Sequence, residues 1–443
     1  MRKEKGIELY MDRKIYQELI NWKNTNMKKP LMVIGARQIG KTYIIDEFCK
    51  KEFKKYIYIN LFEHFEIIEI FKQKINTEEK YKKMKIYLGT DIDVENTIIF
   101  FDEIQESEEL ISALKFFNER EENFKIICAG SLLGVKLKRM HSSFPVGKVK
   151  MINMYPMDFE EFLIASGNTG LVNEIKNCYT NNQPMVSVLH DMALNLYRLY
   201  LCIGGMPEAV KNLLDNNMDI VKFDKSIIED IYQSYLNDMN KYVDNKFEAI
   251  KIESIYKSIP SQLGNQSNKF QYGKISSNAR RRDYETSLNW LLSSTMIHKS
   301  TILNKVEIPP LAFTISDHFK LYLSDVGILI NMLQVKYSDI ILDNLLQYKG
   351  IIAENYVATQ LIANDNVLIY WESGNKAEVD FVLYNDDGII PIEVKASDNI
   401  GSQSLNVYMK RYNPKYAIRI STKNFGFKNN IKSVPLYAAF LVK

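Results

Sequence analysis

The sequence has few cysteines and almost no excess charge. Its four cysteines, Cys49, Cys128, Cys178 and Cys202, lie far apart. This spacing excludes a disulfide framework and a paired zinc-binding motif, so a reducing compartment is expected. The 57 Lys and Arg residues almost balance the 54 Asp and Glu residues, which leaves a net charge of +3. Because so small an excess gives no general attraction to polyanions, a nucleic-acid surface would have to be a local basic patch.

Long apolar runs and repeats are also missing. No uncharged apolar stretch reaches about 18 residues, and the N-terminal sequence MRKEKGIELYMDRKIYQEL lacks the uninterrupted apolar core of a signal peptide. The sequence contains no internal repeat and no low-complexity tract. It therefore predicts a soluble, cytoplasmic protein without a membrane partner.

What is present is a globular composition, with 46% hydrophobic and 25% charged residues. A chain of 443 residues has room for about three domains of roughly 150 residues each. The apolar runs LMVIG, YIYINL, TIIFF and KIICAG alternate with longer amphipathic stretches. This alternation is typical of a parallel sheet covered by helices, so we predict an α/β domain over residues 1–155.

The rest of the chain changes its pattern twice. Residues 156–248 show helical spacing broken at Gly204-Gly205, which predicts a helical lid. Residues 249–335 combine helical stretches with an extended piece, which favours a small helical module with a β-wing. An amphipathic helix and the strands LIYW, EVDFVLY and IIPIEVKA then predict an α+β domain over residues 336–443.

Residues 35–42 read GARQIGKT and fill the pattern GxxxxGK[ST] between the apolar run LMVI and the helical stretch KTYIIDEF. The two glycines let the backbone curl so that its N–H groups face an anion at a helix N-terminus. Lys41 would reach the β- and γ-phosphates of a nucleotide, and Thr42 would ligate Mg²⁺. The predicted nucleotide-binding residues are Gly35, Ala36, Arg37, Gln38, Ile39, Gly40, Lys41 and Thr42.

A second motif, TIIFFDE, ends an apolar strand in two adjacent carboxylates. Asp102 would hold Mg²⁺, and Glu103, pointing to the other side, could polarise the attacking water. The next strand, KIICAGS, ends in Ser131, which is assigned to a catalytic sensing role by its position alone. Spacing does not choose among the candidates for a charge-neutralising side chain, which are Arg120, Arg139 and Lys148.

Together these motifs carry a family resemblance. GARQIGKT, FFDEIQ, AGSLLG, SFPVGKV with YPMDFEEFL, IGGMPEAV, KLYLSDVGIL, AENYVATQL, EVDFVL and IPIEVKA occur in the order seen in a group of bacterial and archaeal AAA-type (AAA+) ATPases with a C-terminal PD-(D/E)xK nuclease-like domain. The resemblance spans nearly the whole chain. It implies an ATP-binding core, a helical lid, a winged-helix-like module and a nuclease-like end, with ATP and Mg²⁺ as ligands. Lys148 departs from the arginine that some relatives carry at that position.

Nucleases of the PD-(D/E)xK type need an Asp on one strand and Glu-x-Lys on its neighbour, so that carboxylates hold Mg²⁺ and the lysine stabilises charge at the scissile phosphate. Asp380, Glu393 and Lys395 supply these pieces, and Glu354 on the preceding helix resembles the additional acidic ligand of the family. We therefore predict Glu354, Asp380 and Glu393 as metal ligands and Lys395 as a catalytic residue.

The hairpin register decides whether these side chains share a face. A two-residue turn at Asp386-Asp387 puts Asp380 opposite Glu393, whereas the stronger turn signal at Asp387-Gly388 puts it opposite Lys395. A three-residue loop would turn Asp380 away. The competing interpretation of the same residues is an exposed hairpin with an ion pair and solvated carboxylates.

One local basic cluster lies in the proposed winged-helix region, with two aromatic residues interleaved. Such clusters contact phosphates, so DNA is a hypothetical partner, although a run of this kind is more often a solvated helix face. The cluster comprises Lys269, Phe270, Tyr272, Lys274, Arg280, Arg281 and Arg282.

The sequence thus predicts an ATPase that binds and hydrolyses Mg-ATP and is coupled to a nuclease-like, nucleic-acid-associated C-terminal domain. The alternative is an ATP-dependent switch whose C-terminal domain is a non-catalytic docking platform. A small-molecule kinase is disfavoured because such an enzyme needs no second carboxylate at Glu103. AAA-type sites often form between subunits, which would make the chain a homo-oligomer.

Overall fold

The computed structural model describes residues 13–25, 29–89, 96–118, 125–140, 147–241, 243, 245–265, 269–345, 348–374, 377–397 and 403–443. These residues form two compact units. The first unit comprises residues 13–155 with residues 293–295, and the second comprises residues 156–292 and 296–443.

The first unit is built on a parallel five-stranded sheet. Its strands are β1 (Leu31–Ile34), β2 (Lys55–Asn60), β3 (Thr97–Asp102), β4 (Lys125–Gly130) and β5 (Lys150–Asn153). They lie in the order β2-β3-β4-β1-β5, and every neighbouring pair is parallel. β1 and β3 are buried at every position, as expected for strands covered on both faces. The predicted α/β class of this part is confirmed.

Six α-helices belong to the described residues of the first unit. They are α1 (Lys14–Asn24), α2 (Lys41–Glu52), α3 (Phe65–Lys72), α4 (Thr77–Leu88), α5 (Glu108–Asn118) and α6 (Leu133–Arg139). One apolar core runs between the sheet and α3, α4 and α5, where Ile67, Phe71, Met84, Leu110 and Leu114 pack against Ile99 and Phe101. Burial of these side chains holds the loops at the carboxyl edge of the sheet in place.

The second unit begins with helices. They are α7 (Phe159–Ala165), α8 (Thr169–Asn181), α9 (Ser187–Ile203), α10 (Pro207–Asp215), α11 (Ser226–Asp238), α12 (Lys246–Leu263) and α13 (Arg281–Ser293). Pro207 occupies the first turn of α10, where its missing N–H costs nothing. The helices that follow are α14 (Val326–Leu333), α15 (Tyr337–Ile341), α16 (Lys349–Ala363) and α17 (Gln403–Tyr412). No helix among the described residues is long and apolar enough to cross a membrane.

A four-stranded sheet in this unit has the order β7-β6-β8-β9. Its strands are β6 (Ile297–Leu303), β7 (Thr314–Leu323), β8 (Ile369–Glu372) and β9 (Glu378–Val379). β6 and β7 form the antiparallel pair expected of a β-wing, but β6 also pairs in parallel with β8. The sheet therefore joins strands on either side of the boundary that the sequence predicted between residues 335 and 336.

A second, mixed sheet has the order β10-β11-β12-β14-β13. Its strands are β10 (Phe381–Asn385), β11 (Gly388–Val394), β12 (Ala417–Ser421), β13 (Gly426–Lys428) and β14 (Ile431–Pro435). The sequence run EVDFVLY is thus not one strand. Its first two residues pair with β8 in the four-stranded sheet, and its last residues pair with β11 in the mixed sheet. Asp380 lies at the point where the chain passes from one sheet to the other.

Helix α16 is more buried than its sequence pattern predicts. The stretch IIAENYVATQLIAN was expected to be amphipathic, but ten residues of α16 are buried, including Glu354, Asn355 and Gln360. The polar residues are buried because each makes a specific contact. Asn355 accepts from the N–H and donates to the carbonyl of Leu323, and Gln360 accepts from the N–H of Phe159 at 2.9 Å.

A buried polar contact joins the motifs IGGMPEAV and KLYLSDVGIL. Asp325 caps the N-terminus of α14 by accepting from the Ile328 N–H at 3.1 Å, and its other oxygen accepts from the Gly205 N–H at 2.7 Å. A Cβ on Gly327 would lie 2.4 Å from the carbonyl oxygen of Ile203. The C-terminal end of α9 and the start of α14 can therefore approach only because a glycine stands at 327.

Candidate functional site

The predicted phosphate-binding loop lies in the first unit, at the carboxyl end of β1. The loops after β1 and β4 leave these adjacent strands in opposite directions along the sheet, since β1 is followed by β2 and β4 by β5. Open α/β sheets bind ligands at such a switch point. A Cβ on Gly35 would lie 2.4 Å from the Met154 carbonyl oxygen, and Gly40 has φ 90°. Both glycines are therefore required by the backbone path.

Lys41 begins helix α2 and folds back over the loop. Its ammonium donates to the carbonyl oxygens of Gly35 at 2.9 Å and Ala36 at 2.6 Å, and the residue is only 7% exposed. The backbone N–H groups of the first turn of α2 have no acceptor within the helix, so they add to the local positive potential. This combination of donors fits a phosphate group.

Thr42 and Asp102 meet at this helix end although they are sixty positions apart in the sequence. The Thr42 hydroxyl donates to Asp102 Oδ2 at 2.9 Å. The same oxygen accepts from the hydroxyl of Tyr58, on β2, at 3.1 Å. Burial, together with the Asp102 carboxylate, raises the pKa of Tyr58 to about 12. A hydroxyl beside a buried carboxylate is the donor set that Mg²⁺ uses in phosphate-binding loops, so these residues fit that ion.

Glu103 follows Asp102 in a left-handed backbone conformation, with φ 54°. Its Oε2 accepts a short hydrogen bond from the side-chain amide of Gln105. Gln105 is buried and lies against Gly130, because a Cβ on Gly130 would be 1.8 Å from Gln105 Oε1. From the sequence, Gln105 was identified only as part of the motif FFDEIQ, and no role was predicted for it. Its contact with Gly130 depends on the pairing of β3 with β4, which sequence spacing does not show.

Arg13 is a second residue that sequence reasoning missed. It precedes α1 and donates from Nη1 to the Ile39 carbonyl at 2.9 Å and from Nη2 to the Tyr155 carbonyl at 2.7 Å. Arg13 is buried, so its guanidinium ties the phosphate-binding loop to the segment after β5. A charged residue in the N-terminal sequence carried no signal of this role.

Three other predicted residues of the first unit lie at or next to β4, α6 and β5. Ser131 directly follows β4 and is half-buried, and Arg139 ends α6. Lys148 is exposed just before β5. Arg120 lies outside the described residues. The structure therefore does not identify a charge-neutralising side chain, and the sensing role of Ser131 stays a prediction.

In the second unit, the hairpin adopts the first of the two registers weighed from the sequence. Asn385 pairs with Gly388 and Phe381 with Ile392, so continuation by one residue places Asp380 opposite Glu393. The turn is at Asp386-Asp387 because the Asn385 side chain accepts from the Asp387 N–H at 3.0 Å. Such a local hydrogen bond outweighs the turn signal of Asp387-Gly388.

The acidic side chains of this hairpin form hydrogen bonds or ion pairs with neighbouring residues. Asp380 Oδ2 accepts from the Val394 N–H at 2.7 Å. Glu393 Oε1 lies 3.2 Å from the Lys395 ammonium, and Glu393 Oε2 lies 3.7 Å from Arg419 on β12. Burial and the nearby Glu354 carboxylate raise the pKa of Asp380.

Glu354 accepts hydrogen bonds from two side chains for which the sequence predicted no role. Its Oε1 accepts from Lys320 Nζ at 2.9 Å and from the Tyr322 hydroxyl at 2.6 Å. Among the described residues, no group of three or more His, Cys, Asp or Glu side chains is arranged to hold a metal ion. Glu354 and Glu393 thus contact lysine, tyrosine and arginine side chains in this structure, and the assignment of Glu354, Asp380 and Glu393 as metal ligands stays a prediction.

The basic cluster is partly neutralised. Arg281 forms ion pairs with Asp317 and Glu285, and Lys269 forms one with Glu372. Phe270 is buried, in a stack with Phe319. The exposed basic residues of the cluster also include Lys274, Arg280 and Arg282.

Three family models match separate parts of the chain. Residues 27–163 match the family described as AAA domain. Residues 194–339 match Domain of unknown function (DUF8612), and residues 349–439 match Domain of unknown function (DUF4143). The nuclease-like prediction for the C-terminal part is not confirmed by these descriptions.

An uncharacterised protein of Methanocaldococcus jannaschii, MJ1544, is 28% identical over 209 residues, which are 46% of this chain and 40% of that protein. The chain thus spans less than half the length of this curated relative. A Walker-type ATPase of Pyrococcus abyssi is similar with a TM-score of 0.44 at 14% identity, covering 73% of this chain and 96% of that one. The Aeropyrum pernix ORC2 protein is similar with a TM-score of 0.35 at 14% identity, covering 74% of this chain and 92% of that one.

The family match covers the strand, loop and acidic pair described above. Within residues 27–163, the loop around Lys41 and the Thr42–Asp102 contact lie on a parallel sheet with the expected order of motifs. Residues 27–163 are therefore similar to an AAA domain, and the predicted phosphate-binding loop lies within the matched part.

Proposed function

We propose that the chain binds ATP and Mg²⁺ at the loop of residues 35–42 and hydrolyses the nucleotide. One observation carries this proposal: the Thr42 hydroxyl, at the start of a helix that follows a glycine loop, is hydrogen-bonded to Asp102 at the end of β3. That contact joins the phosphate-binding element to the acidic strand end, and Glu103 is the next residue.

Each side chain has a role that follows from its position. Lys41 would exchange the carbonyl oxygens of Gly35 and Ala36 for phosphate oxygens, which carry more negative charge. Thr42 and Asp102 would hold Mg²⁺, which neutralises charge on the phosphates. Glu103 would accept a proton from the attacking water, and ADP and phosphate would be released.

Two substitutions test this proposal. Lys41→Ala should abolish turnover and weaken ATP binding, because it removes the buried ammonium. Glu103→Gln should lower kcat by about 100-fold or more while ATP binding persists, because only proton acceptance is lost. Phosphate release and nucleotide binding are measured on the same preparations, with exposed Lys50→Gln on α2 as a control. Unchanged turnover in Glu103→Gln would refute its role as the base.

Nucleic-acid binding is a second proposal, supported by the exposure of Arg280, Arg282 and Lys274. Arg281 is paired with Asp317 and Glu285, and Arg282 Nε lies 3.6 Å from Asp283, so only part of the predicted cluster is available to phosphates. A labelled DNA duplex should shift at about 50 mM salt and be released as salt rises. Arg280→Glu with Arg282→Glu should weaken the shift, and absence of any shift in the unaltered chain would remove this proposal.

Two hypotheses for the C-terminal part stay predictions: a nuclease-like domain that acts on nucleic acid, and a non-catalytic docking platform. Nicking of DNA that requires Mg²⁺ or Mn²⁺ and is lost in both Asp380→Ala and Lys395→Ala would favour the first. Cleavage that survives both substitutions would indicate a contaminating nuclease.

A further inference from the structure

A buried lysine stands among three carboxylates in the second unit. Lys320 lies on β7 and is 0% exposed. Its ammonium donates to Glu354 Oε1 on α16 at 2.9 Å and forms an ion pair with Glu378 Oε1 on β9 at 2.5 Å. It also lies 5.2 Å from the centre of the Tyr370 ring on β8. Four elements of the unit thus converge on one positive charge.

Asp380 belongs to the same cluster. Its carboxyl group is close enough to Glu354, Lys320 and Glu378 for each of these charges to affect its pKa. A lysine without such partners is almost never fully buried, because removing an ammonium from water is strongly unfavourable. The position of Lys320 is therefore explained by the carboxylates, and the approach of the carboxylates to one another is explained by Lys320.

This arrangement is incompatible with a divalent ion bound to Glu354. Oε1 of Glu354 already accepts from both Lys320 and Tyr322. A metal ion at this oxygen would displace two donors, repel the ammonium at close range, and leave buried Lys320 with Glu378 as its remaining ion-pair partner. The Lys320 ammonium already supplies one positive charge and three donor hydrogens to these acidic groups.

We propose that Lys320 is a built-in cation that takes the place of a divalent metal in the C-terminal part of the chain, so that the cluster of Glu354, Glu378 and Asp380 is independent of metal. The proposal concerns the second unit alone and does not depend on ATP hydrolysis. It implies that Glu354, which resembles a nuclease ligand, and Glu378 hold α16 and β9 to β7 through Lys320.

The test is metal-dependent stabilisation of the full chain without nucleotide, measured as the shift of Tm with Mn²⁺. In the unaltered chain, any shift of Tm caused by Mn²⁺ should be the same as in Glu354→Gln. Lys320→Met keeps an unbranched side chain that is one atom shorter and removes its charge, so Tm should fall by several degrees and Mn²⁺ should restore part of the loss. The control Lys299→Met, on neighbouring β6, should gain no response to Mn²⁺.

A double variant keeps the test decisive if Lys320→Met does not fold. Lys320→Met with Glu354→Gln removes both charges of the main pair, so it should fold with a higher Tm than Lys320→Met and show no response to Mn²⁺. A loss of Tm in Lys320→Met that Mn²⁺ does not restore would overturn the proposal. So would Mn²⁺ binding in the unaltered chain that persists in Asp102→Asn but disappears in Glu354→Gln.

Discussion

The guanidinium of Arg13 donates a hydrogen bond of 2.9 Å to the carbonyl oxygen of Ile39, in the phosphate-binding loop. A second hydrogen bond, of 2.7 Å, runs from the same group to the Tyr155 carbonyl. Because a carbonyl held by Arg13 fixes the peptide plane of its residue, the orientation of the following N–H groups depends on a side chain outside the motif.

Arg13→Gln should therefore weaken ATP binding by about tenfold, since it replaces two charge-assisted hydrogen bonds by those of a shorter, neutral amide. Isothermal titration of ATP measures the change. Gln17→Ala, at an exposed position of α1, is the matched control. Equal affinity in Arg13→Gln and the control would show that Arg13 has no part in positioning the loop.

Gln105 should matter for turnover and not for nucleotide affinity, because its amide holds the Glu103 carboxylate. Gln105→Glu replaces this donor by a like charge, and we expect kcat to fall by about tenfold or more. Steady-state phosphate release with a separate binding titration distinguishes the two quantities. A variant with weaker ATP binding and normal kcat would contradict the assignment.

Gly130→Ala tests the same contact from the other side. The new methyl group would lie 1.8 Å from Gln105 Oε1, so the flexible amide must move away from its present position. We expect lower kcat with an almost unchanged Tm, because no backbone atom is near enough to clash. Normal turnover in this variant would show that movement of the Gln105 amide does not change the position of the Glu103 carboxylate.

The raised pKa of Asp325 leads us to expect that the free energy of unfolding depends on pH. Burial raises its pKa from 3.8 to about 6, although N–H donors oppose the shift. The folded state therefore binds a proton more tightly than the unfolded state, and this group costs stability as pH rises from about 4 to about 6. The cost reaches about 3 kcal/mol, at 1.36 kcal/mol for each pKa unit.

Asp325→Asn removes this proton equilibrium. The free energy of unfolding of the unaltered chain, minus that of the variant, should fall by up to about 3 kcal/mol between pH 4 and pH 6 and stay constant above that range. Urea titrations at several pH values measure the difference. A difference independent of pH would show that Asp325 stays ionised in the folded protein throughout. The surrounding tyrosines, including Tyr200 and Tyr256, do not titrate in this range, since burial raises their pKa values.

Gly327→Ala should destabilise the second unit by about 2 kcal/mol or more, because the added methyl group would meet the backbone of Ile203 and Gly204. Gly350→Ala is the matched control, since it lies in helix α16 with no atom within 4 Å of the new Cβ. There alanine should raise stability by up to about 1 kcal/mol. Calorimetric Tm values compare the two, and equal Tm values would contradict the proposed close approach.

The amino-acid sequence alone determined the α/β class of the first unit and the positions of the residues proposed for the nucleotide site. Apolar runs of strand length mark β1 to β4, and GARQIGKT and FFDE place Lys41, Thr42, Asp102 and Glu103 at strand ends. Their positions at the ends of β1 and β3 agree with the structure because each motif is a short segment, in which spacing along the chain fixes spacing in the fold.

Tertiary structure alone decided what surrounds those residues. The contact of Arg13 with the loop, the place of Gln105 against Gly130, and the burial of Lys320 among three carboxylates all join segments that are distant in sequence. In the C-terminal part, the motif residues Asp380 and Glu393 do lie opposite each other, yet Glu354 is bound by a lysine on another strand. Sequence spacing cannot predict such a partner, because the charge that compensates a buried carboxylate is supplied by whichever element the fold packs against it.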